Sequence, residues 1–307
     1  MKQFRFIESQ GLLIHSEFHQ LLKAQGLDSF QSLYGYTGGE IFKENRFRSV
    51  IRISLGGKDA RPQVFHLKKH HPPFGDKLKA LFTGFSIGEG AENEWDKILK
   101  LHAIGIETMV PVAFGSVRKW GLPYRALTLT EHLYGAEKLE TYLPTHFEQG
   151  LGDPKLIWSK RAIIRAVAGL ARKLHAARLH HQDFYLGHIL IAPRPEGRFT
   201  LYLIDLQRVK SPKRLRTSRI VKDLAQIYFS AAETDCLTRT DRLRFMKTYL
   251  EKERLTEADL ALIRKIEDKS GRIAKHHAKV LARRASLGVD TPASPEKDSR
   301  SKIKSRL

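Results

Sequence analysis

The chain has 307 residues, of which 54 are Lys or Arg and 33 are Asp or Glu, so its formal net charge is +21 at pH 7. An apolar fraction of 41% is enough for a buried core, and the length allows one large domain or two lobes. The single cysteine, Cys236, excludes an internal disulfide bond and fits a reducing compartment. The positive charge favours a polyanionic partner: a nucleic acid, an anionic membrane surface or a phosphorylated glycan.

Neither a secretion signal nor a membrane span is predicted. Residues 1–13 mix charged residues with isolated apolar ones, unlike a signal peptide. The longest apolar candidate, residues 162–171, is interrupted by Arg165 and falls short of the ~20 residues that a span needs. We therefore expect a soluble cytoplasmic protein, with binding to a membrane surface as an open alternative.

The first 34 residues carry no recognisable motif and are predicted to be an N-terminal extension. Residues 35–40 (GYTGGE) form a glycine cluster ahead of predicted strands at residues 41–44 and 47–55. Because glycine lets backbone amides approach phosphates, the cluster could be a nucleotide-covering loop, and an ordinary hairpin turn is the alternative.

The next predicted strand, residues 63–69 (QVFHLKK), offers two candidate lysines. Its period of two puts Lys68 on one face and Lys69 on the other. Lys68 is the first candidate for a phosphate-binding residue and Lys69 the second, while two solvated lysines at a strand end are the simplest alternative. Residues 70–88 follow as a long loop with one basic amphipathic turn.

Residues 91–101 (AENEWDKILKL) have the apolar spacing of an amphipathic helix. Glu94 lies just before the apolar stripe and can face a cleft, so it is the candidate partner of Lys68. Glu92 is the alternative, and a solvated surface position is the simplest interpretation of either glutamate.

Two further strands are predicted at residues 109–114 and 124–130, on either side of a turn at Trp120 and Gly121. Residues 131–135 (EHLYG) then break the pattern. This gives about five strands and one helix before the break.

The second half of the chain is mostly helical in pattern. One amphipathic helix leads into residues 179–191 (LHHQDFYLGHILI), a polar turn that contains Asp183 and His188 and starts a short apolar run. A second apolar run at residues 199–206 (FTLYLIDL) includes one acidic residue, Asp205.

A helix, a loop with an aspartate, a hairpin and a second aspartate follow each other as in a protein-kinase-like active site. There the first aspartate accepts the proton of the substrate hydroxyl, and the second holds magnesium on the phosphates. His188 follows Asp183 by five residues, the spacing at which kinases have a metal ligand, and Asp205 follows Asp183 by 22. Taken alone, Asp183 is equally compatible with a turn residue and His188 with a half-buried structural histidine.

The same pattern suggests roles for other residues. Kinases bind the α- and β-phosphates with a third-strand lysine that pairs with a helical glutamate, here Lys68 and Glu94. The backbone of Glu131 to Leu133 is expected to bind the adenine edge as a hinge. Asp223, on a helix predicted over residues 218–231, is expected either to orient the catalytic-loop backbone or to be exposed.

The predicted fold is therefore α+β with the two lobes of a protein kinase. A small β-rich N-lobe and its hinge are expected at residues 35–133, and a larger helical C-lobe at residues 134–285. Later helices are predicted at residues 241–252 and 256–284, and the polar, basic residues 286–307 as a disordered tail.

Several motifs together resemble the lipopolysaccharide core kinases, the heptose/Kdo kinase family of Gram-negative bacteria. The resemblance covers roughly residues 35–252, and its most specific marks are the HxDxYxxHxL loop at residues 181–190 and the ENEW helix start at residues 92–95. The other matching pieces are GGEIFKE (38–44), VFHLKKHH (64–71), TMVPVAFG (108–115), LTEHL (129–133), LIDLQR (203–208) and KDLAQIYFS (222–230).

This resemblance implies ATP and Mg2+ as co-substrates and transfer of the γ-phosphoryl group to a sugar hydroxyl of the lipopolysaccharide inner core. Carried over by position, Lys68 and Glu94 form the phosphate-binding pair and Asp183 is the catalytic base. Asp205 and His188 are the two residues at the metal. His188 stands where protein kinases have asparagine. Because a neutral imidazole prefers softer ions than magnesium, a hydrogen bond to the loop is its alternative role.

The implied partner is the lipopolysaccharide core or another anionic glycolipid, met at the cytoplasmic face of the inner membrane with possible peripheral contact. Two alternatives remain open: a kinase-like protein acting on a protein or another small hydroxyl acceptor, and a catalytically inactive polyanion-binding protein. The basic residues are spread along the chain without a recognisable nucleic-acid motif, so no specific nucleic acid is expected.

Overall fold

The structure is a computed structural model that describes residues 3–45, 48–56, 62–70, 89–119, 122–147 and 153–286. Three predictions fall outside these residues: most of the loop at 70–88, the turn at Trp120 and Gly121, and nearly all of the tail at 286–307.

The first half of the chain is built on one antiparallel sheet. Within the described residues this sheet has seven strands in the order β1-β2-β6-β7-β5-β4-β3. The five strands predicted after residue 35 are confirmed, with a register that aligns Lys68 with Val50 and Thr128 of its neighbours. The strands are β1 Phe6–Ser9, β2 Leu12–His15, β3 Glu40–Asn45, β4 Arg48–Leu55, β5 Gln63–His70, β6 Pro111–Lys119 and β7 Leu122–Glu131.

The segment predicted as an N-terminal extension is part of this lobe. Strand β2 pairs with β6, where Leu13 lies opposite Phe114. Two helices follow it, α1 (Ser16–Ala24) and α2 (Phe30–Gly35), and they place Leu22 and Leu33 in the core of the sheet. The sequence of this segment shows only a weak alternation of apolar residues, which is too short to predict a strand. The strand β2 becomes recognisable only through its pairing with β6.

Helix α3 (Glu89–Ala103) carries the predicted apolar stripe and lies between the sheet and the second half of the chain. Its Ile98 and Leu101 are fully buried in the hydrophobic core that the second half of the chain forms. One turn earlier on the same apolar stripe, Trp95 stacks on Phe114 of β6 with ring centroids 5.5 Å apart. The helix therefore packs against both the sheet and the core of the second half of the chain.

The second half is helical, as predicted, and contains a small three-stranded sheet in the order β10-β9-β8. Together with the N-terminal sheet it gives the predicted α+β, two-lobe architecture. In the described part of the chain, no helix combines the length and the apolarity needed to cross a membrane. The elements are β8 Glu137–Lys138, α4 Leu139–Phe147, α5 Pro154–Ala176, β9 Ile189–Pro193, β10 Phe199–Leu203, α6 Thr217–Ala232, α7 Arg239–Leu250 and α8 Glu257–Ser286.

The glycine cluster at residues 35–40 is not a hairpin turn, because it connects α2 to the start of β3. Gly39 adopts φ +111°, a region that strongly favours glycine. A Cβ at this position would collide with the carbonyl oxygen of Arg52 on β4. The close pairing of β3 with β4 therefore requires glycine here.

We expect Gly39→Ala to lower the free energy of unfolding by about 1–3 kcal/mol, because alanine is strained at this φ and displaces the β4 carbonyl. Gly271→Ala, in the interior of α8 with open space around an added Cβ, should instead stabilise the protein by about 0.5–1 kcal/mol. Urea unfolding of both variants measures the difference. Equal effects would show that Gly39 is not conformationally constrained.

Candidate active site

The loop that carries Asp183 is held by a buried carboxylate on α6. Asp223 is fully buried and accepts the backbone N–H of His181 at 2.6 Å and that of Gln182 at 3.0 Å. Burial raises the pKa of Asp223, but the contact with His175 and these two N–H groups outweigh burial, so the net pKa lies below its usual value. Of the two alternatives for Asp223, the exposed position is wrong and the loop contact is present.

Two more α6 residues hold the same loop. Gln226 accepts the backbone N–H of Phe184 at 2.9 Å and donates to the carbonyl oxygen of Gln182 at 2.6 Å. Ser230 accepts the N–H of Leu186 at 3.1 Å. Sequence reasoning missed both residues. The sequence did contain a signal for them. In this buried helix, Gln226 follows Asp223 by three residues and Ser230 follows Gln226 by four, a spacing that puts all three polar residues on one face.

Asp183 makes an ion pair that the sequence did not predict. Nη1 of Arg208 donates to both carboxylate oxygens at 2.8 Å. The side chain of Asp183 is 20% exposed and that of Arg208 is 60% exposed, so the pair lies at the protein surface. Arg208 reaches Asp183 because a short 3-10 turn, Leu206–Arg208, follows Asp205.

The strand that corresponds to the predicted run at residues 199–206 ends at Leu203, and Asp205 follows in a left-handed conformation, with φ 57° and ψ 57°. Such backbone strain in a non-glycine residue is concentrated at functional sites. Its Oδ2 lies 3.8 Å from Nε2 of His188. Nδ1 of His188 is 2.7 Å from the carbonyl oxygen of Asp183 and therefore donates to it, which leaves Nε2 facing Asp205.

Asp205 and His188 fit a magnesium site that is completed by phosphate and water better than a metal site built from protein ligands alone. Among the described residues, no group of three or more His, Cys, Asp or Glu side chains is arranged to hold a metal. Magnesium is usually bound by one or two carboxylates, with substrate phosphates and water as the remaining ligands. Asp205 fits this donor set, and His188 makes the loop hydrogen bond expected as its alternative role while its second nitrogen faces Asp205.

The structure brings Lys68 and Glu94 together as an ion pair between β5 and α3. The side chain of Glu94 is 1% exposed and that of Lys68 is 14% exposed. The alternative residues lie elsewhere. Lys69 donates to the carbonyl oxygen of Tyr36, and Glu92 accepts from Arg118 at 3.1 Å.

Gln207 connects this ion pair to the loop of Asp205. Its Nε2 donates to Glu94 at 3.3 Å, and its Oε1 accepts from Arg48 of β4. Asn93 of α3 adds two hydrogen bonds, at 3.0 Å to the carbonyl oxygen of Gln207 and at 3.2 Å to that of Val209. The two lobes are thus hydrogen-bonded to each other beside both aspartates.

The predicted hinge follows β7. The N–H of Glu131 donates to the carbonyl of Val110 at 3.1 Å, and that of His132 donates to Val64 at 2.9 Å. Within the described ranges, the N–H of Leu133 has no acceptor, so it is available to a ligand. Burial, with a smaller contribution from Glu17, raises the pKa of Glu131.

Comparison with known proteins identifies the family. The family model described as the lipopolysaccharide kinase (Kdo/WaaP) family matches residues 82–249, more than half of the chain. The lipopolysaccharide core heptose(I) kinase WaaP of Pseudomonas aeruginosa is 32% identical over 249 residues, which cover 78% of this chain and 87% of that protein. The chain belongs to the lipopolysaccharide kinase (Kdo/WaaP) family.

Other relatives in the family agree. The enzyme of the same name from Escherichia coli is 31% identical over 232 residues, 73% of this chain and 82% of that protein. A solved structure of WaaP in complex with acyl carrier protein has a TM-score of 0.65 and 26% identity, covering 85% of this chain and 98% of that one. The resemblance to lipopolysaccharide core kinases is therefore confirmed.

One feature of this family member beside Lys68 was not predicted. His66, on the same face of β5, makes a 3.0 Å contact between its Nε2 and Nδ1 of His132 in the hinge. Burial, followed by the charges of His132, Lys68 and Arg52, lowers the pKa of His66 to about 4. The pair is therefore neutral near pH 7.

We expect His66 to weaken the protein as the pH falls. The unfolded chain takes up a proton near pH 6.5, whereas folded His66 does so only near pH 4, so stability falls through this interval. His66→Gln lacks this titration, so its Tm should fall less between pH 6.5 and pH 4 than that of the natural chain. Thermal melts across this range test it.

His276→Gln, at an exposed position on α8, provides the matched control, and its Tm should follow that of the natural chain. If the Tm of His66→Gln fell as much between pH 6.5 and pH 4 as the Tm of the natural chain, His66 would not be the titrating group.

Proposed function

We propose that this chain is a kinase that transfers the γ-phosphoryl group of ATP to a heptose hydroxyl of the lipopolysaccharide inner core. The observation that carries the proposal is a continuous set of contacts from Lys68 and Glu94 through Gln207 to the Asp205 turn, and from Arg208 to Asp183. Heptose is the proposed acceptor because relatives 31–32% identical over most of their length are named heptose(I) kinases.

At the nucleotide end, Lys68 would neutralise phosphate charge while buried Glu94 fixes the position of its ammonium group. The N–H of Leu133, which has no acceptor among the described residues, would donate to the adenine edge, with Glu131 on the same hinge. Asp205 and Nε2 of His188 would hold magnesium, which when bound offsets charge on the phosphates.

At the acceptor end, Asp183 would accept the proton of the attacking hydroxyl. Its contact with Arg208 uses one nitrogen across both oxygens, and an ionised carboxylate has about four lone-pair directions, so it keeps accepting capacity for a hydroxyl. Asp223, Gln226 and Ser230 hold the backbone around Asp183, and such fixed positioning supplies much of the catalysis in phosphoryl transfer.

We further propose that the reaction takes place at the cytoplasmic face of the inner membrane, where a glycolipid acceptor and ATP meet. The net charge of +21 would favour peripheral contact with an anionic surface. The solved structure of the relative is a complex with acyl carrier protein, and we extend that partner to this chain as a proposal. Co-elution of the two purified proteins on size exclusion tests it.

We expect Asp183→Asn to lower phosphate transfer by roughly 10²–10⁴-fold, because the amide cannot accept the hydroxyl proton. The measurement is transfer from radiolabelled ATP to deacylated inner-core oligosaccharide in the presence of magnesium. Asp235→Asn, at an exposed position after α6, is the matched control and should keep full activity. Equal rates for Asp183→Asn and the natural chain, with unchanged Tm, would remove Asp183 from the mechanism.

The alternative of an inactive polyanion-binding protein predicts a different ligand response. For a kinase, ATP with magnesium at 100 times its Kd should stabilise the fold by about 2.7 kcal/mol. Glu94→Gln should reduce this stabilisation because it removes the charge that fixes Lys68. Salt-sensitive stabilisation by polynucleotides without any effect of ATP, measured by thermal shift, would instead support the alternative.

A further inference from the structure

The segment that leaves Asp205 and enters α6 is unusually basic. Residues 206–222, the basic segment, contain seven Lys or Arg residues and no Asp or Glu. The four cations Lys213, Arg214, Arg216 and Arg219 are all exposed. The segment therefore presents positive charge immediately beside the loop of Asp183.

At the end of this segment, Lys222 is half-buried on α6. No carboxylate of the described residues lies within ion-pair distance of its ammonium group, although Asp183 and Asp223 are near enough to act on it electrostatically. Burial, and then the charge of Arg208, lowers the pKa of Lys222. A partly desolvated cation without an ion-pair partner is unfavourable in isolation, and such features are concentrated at binding sites.

Arg208 has donors to spare. A guanidinium group has five N–H donors, and in the described part of the chain only Nη1 of Arg208 is engaged, by Asp183. The side chain is 60% exposed, so Nη2 and Nε can reach a ligand. An anion in contact with both Arg208 and Lys222 would offset the repulsion between these two cations.

We propose that Arg208 and Lys222 form an anion-binding subsite beside Asp183 that holds a carboxylate or phosphate substituent of the acceptor glycan. The subsite rests on the proposed function and deepens it, since it defines an acidic acceptor. It is placed on the acceptor side because Arg208 contacts Asp183, the proposed base for the acceptor hydroxyl, at 2.8 Å, and Lys222 is near enough to Asp183 to act on it electrostatically. Holding the substituent there would orient the neighbouring hydroxyl toward Asp183.

Steady-state kinetics with deacylated inner-core oligosaccharide test the subsite. We expect Lys222→Gln to raise the acceptor KM by about tenfold and to leave the KM for ATP within about twofold, as for loss of one charge-assisted hydrogen bond. Arg208→Lys keeps the charge but loses the planar fork, so it should raise the acceptor KM by a smaller factor. Lys265→Gln, at an exposed position on α8, is the control and should leave both constants unchanged.

Two modified acceptors identify the anion. Carboxyl-reduced and dephosphorylated oligosaccharides are compared with the native one, and the acceptor whose KM is no longer changed by Lys222→Gln lacks the group that the subsite binds. If Lys222→Gln raises the KM of all three acceptors equally, or of none, the proposal is overturned. Lys222→Arg, which preserves the charge, guards against a folding defect and should restore most of the affinity.

Direct binding separates this proposal from the proposed function. Isothermal titration of the native oligosaccharide, without ATP, should give a Kd about tenfold weaker for Lys222→Gln than for the natural chain. This result would support the subsite even if no phosphate were transferred. Equal affinities, or no binding by the natural chain, would overturn the subsite, whereas phosphate transfer that disappears in Asp183→Asn would still support the kinase.

Discussion

The site depends first on the buried carboxylate of Asp223. A buried carboxylate is unfavourable unless its oxygens accept hydrogen bonds, and here His175 and two backbone N–H groups of the loop that carries Asp183 surround it. The same constraint keeps the loop in one conformation, because releasing it would leave both the carboxylate and the two N–H groups unsatisfied. Gln226 and Ser230 extend this attachment along α6, so the loop that carries Asp183 is hydrogen-bonded to the helix at several positions.

A second buried carboxylate, Glu94, does the equivalent for the junction of the lobes. Its two oxygens are shared between Lys68 of the N-lobe and Gln207 of the C-lobe. Since one carboxylate serves both contacts, the position of Lys68, the proposed phosphate-binding lysine, is coupled to the turn that carries Asp205. Asn93 strengthens the coupling by binding two backbone carbonyls of the same turn.

The distribution of charge differs between the two sides of the proposed site. On the proposed nucleotide side, Lys68 is paired with Glu94. On the proposed acceptor side, the basic segment contains no acidic residue of its own, and within the described residues Arg208 keeps side-chain donors beyond its contact with Asp183. The overall charge of +21 is thus locally organised as well as large, and a negatively charged glycan complements it.

The order of motifs and their local periodicity were determined by the sequence itself. The strand period separated Lys68 from Lys69, and the spacings from Asp183 to His188 and Asp205 identified the kinase-like order, because both are short-range properties of a chain with regular geometry. Only the tertiary structure decided that Arg208 contacts Asp183 and that Gln207 bridges the lobes. It also joined residues 3–35 to the sheet through β2 and β6. These features depend on which distant elements become neighbours, and a polar residue in a turn carries no periodic signal of the partner it will meet.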